Sequence, residues 1–247
     1  MQVFIQFKNL IKGYGKTTVI DNLDLDIGKG ELFGVIGMSG SGKTTLLKTM
    51  IGFLEPESGE INYYSLKDKK YKSIFEEEDE SRRMFGFSTQ MPSFYPKLTT
   101  EENMDHFASL YDMKKKQRQS TIKELLSLTG LTPYNKLLAE ELSGGMEKRL
   151  SIACSLVHKP SVLILDEPTA DLDPVLRKET WNLIKRINNQ GTTIIVASHL
   201  LDELEENCDR VGILHKKKIS AVGTPAQLKK AYSKRSLSDV FEIIYNN

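Results

Sequence analysis

The stretch Gly37-Met38-Ser39-Gly40-Ser41-Gly42-Lys43-Thr44 constrains this chain more than any other. It follows an apolar run from Glu31 to Ile36 and opens a helical run from Thr45 to Ile51. A strand that turns through glycines into a helix beginning Lys-Thr is a cradle for a nucleotide triphosphate. The glycines let main-chain N–H groups turn inward. The Lys43 ammonium reaches the β- and γ-phosphates, the Thr44 hydroxyl is offered to Mg²⁺, and the helix presents its positive end. A short pattern of this kind arises by accident in roughly one chain in a hundred of this size. The strand-then-helix context makes accident rarer still. The expectation is ATP or GTP binding, with Gly37 to Gly42, Lys43, Thr44 and Thr45 around the phosphates, and the loop alone does not choose among nucleotide-hydrolysing families.

A chain of 247 residues with 27% charged and 39% hydrophobic residues can bury a full core, as one domain with subdomains or two small ones. Its net charge of +1 gives no electrostatic reason to expect nucleic acid as a partner. No apolar run approaches the roughly 18–20 residues that cross a bilayer, and Met1 to Gln6 lack the basic-then-apolar layout of a secretion signal. Cys154 and Cys208 stand far apart in no metal-ligand spacing, which reads as buried or incidental thiols in a reducing cytosol.

Leu23, Leu25 and Ile27 alternate with Asp24 and Asp26 at the period of a half-buried strand, and Val3 to Leu10 is also strand-like. These predict a small antiparallel sheet leading into the buried strand before the phosphate loop. Residues 66–83, with Lys67, Lys69, Lys70 and Lys72 ahead of Glu76 to Glu80, read as a solvated connection. From about 99 to 158 the pattern is helical. Thr99 with Glu102 forms a capping box, Ile122, Leu125 and Leu126 mark a helix ended by Gly130, and another begins at Ser143. This block reads as a helical subdomain inserted between two halves of an α/β core. The core resumes with strands at Val162–Leu165, Thr192–Ala197 and Val211–Leu214 and a helix at Leu176–Ile187. Helices opened by Thr224-Pro225 and carrying Leu237, Val240, Phe241 and Ile244 follow.

Two further motifs carry chemistry. Val162 to Leu165 ends in Asp166 and Glu167, and a strand tip holds carboxylates rigidly. Asp166 is placed to hold Mg²⁺ and Glu167 to polarise an attacking water, since phosphoryl transfer is catalysed mainly by positioning and charge. Leu142-Ser143-Gly144-Gly145-Met146 opens a helix whose exposed N–H groups and dipole suit a phosphate. Because this helix lies in the inserted block, it hints at a site shared between two copies of the chain. His106, His158 and His215 have no motif around them and read as surface or packing residues.

With these motifs in order, the chain closely resembles the ATP-binding subunits of ABC transporters over nearly its whole length. Tyr14 resembles the aromatic that stacks on adenine, and Gln90 the glutamine that touches Mg²⁺ and senses the membrane partner. Ser143, Gly144 and Gly145 match the signature loop, Asp166 and Glu167 the metal-site aspartate and catalytic glutamate, Ala170 to Asp173 the loop that crosses between monomers, and His199 the switch histidine. Met146 departs from the glutamine that many members carry. With Tyr95-Pro-Lys-Leu-Thr-Thr and the ending Ser238-Asp-Val-Phe, it resembles the export-type branch. The resemblance implies a P-loop NTPase of α/β class with a RecA-like core, an N-terminal antiparallel β-subdomain and an inserted α-helical subdomain. Residues 1–247 would form a single ATP-binding domain: 1–90 and 159–225 as core and β-subdomain, 91–158 as helical signature subdomain, 226–247 as short C-terminal helices.

The same resemblance implies an ATP- and Mg²⁺-dependent ATPase, with Glu167, His199 and Gln90 catalytic and Thr44, Gln90 and Asp166 at the metal. It would dimerise around two ATP with a second copy or a paralogue and drive transport, in the export direction, through integral membrane permease subunits. It would sit in the cytoplasm, peripheral on the inner face of the cell membrane, with no nucleic acid partner. The alternative from the same superfamily is a soluble ATPase such as that of iron–sulfur cluster assembly.

Overall fold

The computed structural model describes residues 2–76 and 78–246; Met1, Asn247 and Glu77, the last inside the charge run read above, lie outside the described residues. Along the chain come β1 (Val3–Tyr14), β2 (Thr17–Gly28), β3 (Leu32–Ile36), α1 (Lys43–Met50), β4 (Ser58–Ser65), β5 (Lys70–Ser73) and α2 (Glu78–Met84). Next are β6 (Phe85–Ser88), α3 (Thr100–Ser109), α4 (Lys115–Thr129), α5 (Gly144–Leu156), β7 (Val162–Asp166) and α6 (Pro174–Asn188). The chain closes with β8 (Thr193–Ser198), α7 (Leu201–Asn207), β9 (Arg210–His215), β10 (Lys218–Gly223), α8 (Pro225–Ala231) and α9 (Leu237–Asn246). Contacts divide it into two units, Met1–Arg82 with Thr193–Asn247, and Arg83–Thr192.

In the first unit β2, β1, β4 and β5 form an antiparallel sheet in that order. The predicted alternation holds: Leu23, Leu25 and Ile27 are buried with Ile5, Phe7 and Leu10 of β1, while Asp24 and Asp26 are exposed. A second set runs β10, β9, β3, β8, with β3 parallel to both neighbours. Every residue of β3 and β8 is buried, as strands covered on both faces require. At about 1.5–3 kcal/mol for each fully buried large aliphatic or aromatic side chain, Leu32, Phe33, Val35 and Ile36 make β3 a fixed platform for the loop that follows. A Cβ on Gly34 would meet Val211 at 3.0 Å and Cys208 at 3.2 Å, so glycine there lets β9 and the end of α7 close on β3.

The charge run is not the solvated connection expected. It contains β5, paired to β4, and then α2. The side chain of Lys72 is only 12% exposed and bridges Asp68 at 2.5 Å and Glu80 at 2.7 Å. That ammonium holds both carboxyls below their usual range. The charges satisfy one another, and Tyr71 meets Tyr64 edge-on at 5.4 Å, so a polar sequence can carry a strand. Strands β9 and β10 are joined by a two-residue hairpin turn, with Lys216 and Lys217 at φ 46° and 69° between the paired His215 and Lys218.

The second unit holds β6 and β7, paired in parallel, with α5 against both. The approach of α5 to β6 is close: a Cβ on Gly86 would fall 2.2 Å from the Ser155 carbonyl oxygen, and the Ser155 hydroxyl donates to Phe87 O at 2.9 Å. The predicted capping box at Thr99 and Glu102 is formed, and α4 ends at Gly130 in the left-handed region, φ 71°. Helices α3, α4 and α5 pack on one another. Tyr111 lies flat on His158, with ring centroids 3.8 Å apart. Both cysteines are buried and neither is in a disulfide, and burial pushes the Cys154 thiol up. Among the described residues no helix is long and apolar enough to cross a membrane.

Candidate nucleotide site

In the first unit the phosphate loop leaves the tip of β3 and enters α1 through two left-handed glycines, Gly40 at φ 77° and Gly42 at φ 104°. Other residues reach such angles only at a cost of about 1–2 kcal/mol, so the loop's curvature is written into its glycines. A Cβ on Gly37 would sit 2.4 Å from Ser41 Oγ, and one on Gly42 would sit 2.8 Å from Val19. Lys43 is buried and folds back over the loop, donating to the carbonyls of Gly37 at 2.8 Å and Met38 at 3.2 Å. Gly42 caps α1 without a side-chain hydrogen bond. The Ser41 hydroxyl is buried with no hydrogen-bond partner. These are the features of a concave anion site, and a polyphosphate fits them.

A cavity of about 370 Å³ flanks this loop within the same unit, lined among others by Thr18, Val19, Ser39, Gly40, Lys217 and Tyr245. His199 follows the tip of β8, and the parallel register Ile36↔Ser198 brings it beside the start of the loop. Tyr14 ends the β1–β2 hairpin strand, 51% exposed, with Lys12 Nζ 5.6 Å from its ring centre. It is not among the residues lining the cavity. Val19, which packs under Gly42, was not singled out from the sequence; an isolated valine in a strand carries no signal of its own.

In the second unit β6 and β7 run parallel with Ser88 opposite Leu165, so Gln90 and the Asp166–Glu167 pair leave the same edge. Asp166 and Glu167 are both buried, and Glu167 takes φ 51°. A non-glycine residue in that region stores about 1–3 kcal/mol of strain, which collects at functional positions. Within this unit the Asp166 carboxylate and the Gln90 amide offer hard oxygen donors of the kind Mg²⁺ takes. No group of three or more His, Cys, Asp or Glu that could hold a metal occurs among the described residues. Asp173 caps α6, accepting from Val175 and Leu176 N–H at 2.9 and 3.1 Å, and thereby fixes the end of the Ala170–Asp173 loop.

Helix α5 begins at Ser143 as expected, yet the Ser143 hydroxyl makes no capping hydrogen bond to its own helix. Ser143 and Gly144 are exposed, and a Cβ on Gly144 would meet nothing within 4 Å. The donors at this helix start therefore face open space. Gly145 is buried against Leu176, which a Cβ would approach to 3.0 Å. Lys148, further along α5, was missed from the sequence because nothing distinguishes it there from Arg149. Its ammonium donates to Gln90 O at 2.6 Å. Burial lowers its pKa, while the charges of Asp171, Glu147, Asp166 and Glu167 pull it back up.

Residues 20–170, more than half of the chain, match the family model described as ABC transporter. The chain belongs to the ABC transporter family. It is 35% identical over 228 residues to the probable multidrug ABC transporter ATP-binding protein YbhF of Escherichia coli (strain K12), covering 92% of this chain but 38% of that protein's length. It is 33% identical to the Nod factor export ATP-binding protein I of Paraburkholderia xenovorans (strain LB400), over 91% of this chain and 72% of that one. The ATP-binding cassette MJ0796, solved as a dimer in a post-hydrolysis state bound to ADP and Pi, superposes with a TM-score of 0.76 at 26% identity, covering 89% of this chain and 98% of that one. The α/β fold, with its N-terminal antiparallel sheet and inserted helices, is that of the P-loop cassette that the resemblance implied.

Proposed function

We propose that this chain hydrolyses ATP as the motor subunit of a transporter, pairing with a second copy or a paralogue around two nucleotides. One observation carries the reading most of the way. A glycine-built cradle with Lys43 folded over it occurs in a chain of the ABC family that also bears a buried, strained Glu167 at a strand tip. Lys43 exchanges its carbonyl partners for phosphate oxygens, and the loop's N–H groups take the remaining negative charge. Thr44, Asp166 and Gln90 would hold Mg²⁺, which when bound would supply charge neutralisation at the phosphates. Glu167 accepts a proton from the attacking water and His199 steadies the γ-phosphate. Tyr14 stacks on the base from its exposed position. Ser143, Gly144 and Gly145 of the neighbouring chain close the far side of the phosphates, using donors that their own helix leaves open.

The wider assignments rest on the relatives. Their names describe multidrug transport and Nod factor export, which supports export through separate integral membrane permeases and a cytoplasmic, membrane-peripheral position. It leaves the iron–sulfur assembly alternative without support. We also read residues 1–247 as one ATP-binding domain: 91–158 its signature subdomain, 226–247 its C-terminal helices, the rest core and β-subdomain.

The test is Glu167→Gln. The variant keeps ATP affinity within about threefold and loses turnover by roughly a hundredfold or more. Rapid phosphate release by that variant would remove Glu167 from the mechanism.

A further inference from the structure

Gln90 lies on an exposed turn just past β6, a poor place from which to hold a metal or a water steadily. Two contacts within the second unit tie that turn down. The Thr89 hydroxyl donates to Met91 O at 2.6 Å, closing the turn on itself. Lys148 Nζ donates to Gln90 O at 2.6 Å, anchoring it to α5. The second contact joins two functional elements, because α5 is the helix that begins with Ser143, Gly144 and Gly145. The helix packs on β6 and β7, with its glycine-allowed approach at Gly86.

We propose that Lys148 is a positioning residue for ATP hydrolysis: its hydrogen bond to the Gln90 carbonyl makes the placement of Gln90 depend on α5, and so on whether phosphate is engaged at Ser143–Gly145. This rests on the reading of Gln90 as a metal-site residue. The bond is short, 2.6 Å, and a lysine ammonium donating to a carbonyl belongs to the charge-assisted, stronger kind. A helix shift is carried to Gln90 through one short bond rather than through a flexible surface. Misplacing a reacting group by about 1 Å can cost on the order of a hundredfold in rate, so a link of this kind is large enough to gate turnover.

The experiment compares Lys148→Met, Lys148→Arg, Gln90→Ala and the double variant Lys148→Met/Gln90→Ala in the full chain. It measures kcat, ATP affinity, thermal midpoint and amide exchange. Lys148→Met should lower kcat by about tenfold or more, leave ATP affinity and the midpoint unchanged, and speed exchange at residues 89–91. Lys148→Arg, which keeps a charged donor, should restore most of the rate. In the Gln90→Ala background Lys148→Met should cost nothing further, because the pathway it serves is already cut. The proposal is overturned if Lys148→Met leaves kcat and exchange at 89–91 unchanged. It is equally overturned if arginine fails to rescue or if the two losses simply multiply. Failure of the underlying reading has a different signature, in which Gln90→Ala alone turns over normally, and that result takes the proposal with it.

Discussion

Helices α1 and α5 both begin at glycines, and neither has a side chain capping its first N–H groups. Around α1 the chain closes on itself. Gly40 and Gly42 curl the loop, Gly37 passes within a methyl's reach of Ser41, and Lys43 lies buried across the carbonyls. Around α5 there is no such closure, since Ser143 and Gly144 are exposed and no atom comes near the place a Gly144 side chain would occupy. One helix start is a finished anion pocket; the other is a single wall. A wall of N–H donors binds a phosphate well only when something else holds that phosphate against it. The contrast is the physical reason to expect the second start to complete a pocket on another copy.

The largest effect expected from breaking this contrast comes at the finished pocket. If Lys43 makes the two charge-assisted phosphate contacts proposed for it, at about 2 kcal/mol each, Lys43→Ala costs roughly a thousandfold in ATP affinity. Calorimetric titration measures it, and an unchanged dissociation constant would refute the cradle. The wall's loss should appear in turnover rather than in binding by the isolated chain.

A smaller effect sharpens the comparison from the unit that carries α5. Burial and nearby Arg83 lower the His158 pKa from 6.5 to about 4, against the opposing pull of the Phe85 carbonyl. The ring Nε2–H donates to Phe85 O at 2.9 Å, and buried Nδ1 has no partner for a second proton. The folded value lies below the unfolded one. The contribution is therefore complete above pH 6.5 and is lost progressively as pH falls toward 4. Stability should drop by about 2 kcal/mol between pH 7 and 5 from this residue. Urea unfolding at the two pH values measures the drop, which His158→Phe should abolish; an equal slope in the variant would contradict the assignment.

What could be read from the sequence follows the range of the interactions involved. The phosphate loop, the Thr99–Glu102 box and the Thr224-Pro225 helix start are encoded by neighbours in the chain, and each appears where its residues stand. Strands β4, β5 and β6 and helix α7 were not anticipated. Phe85–Ser88 is short and contains a glycine. It is a strand because β7 pairs with it and Ser155 packs on it. Leu201–Asn207 is acidic with only Leu204 buried, so its helical face carries almost no pattern. In the site the same division holds: Lys43, Asp166 and Glu167 announce themselves, whereas Lys148 acquires meaning only when Gln90 is folded next to it.

The central claim is that the open wall at Ser143 serves a second chain. Specific ATPase activity followed over a wide dilution series tests it most directly. The account predicts that phosphate released per mole of protein falls steeply once the chain is diluted below its ATP-dependent association. Activity per mole that stays constant down to concentrations where only single chains remain would contradict it.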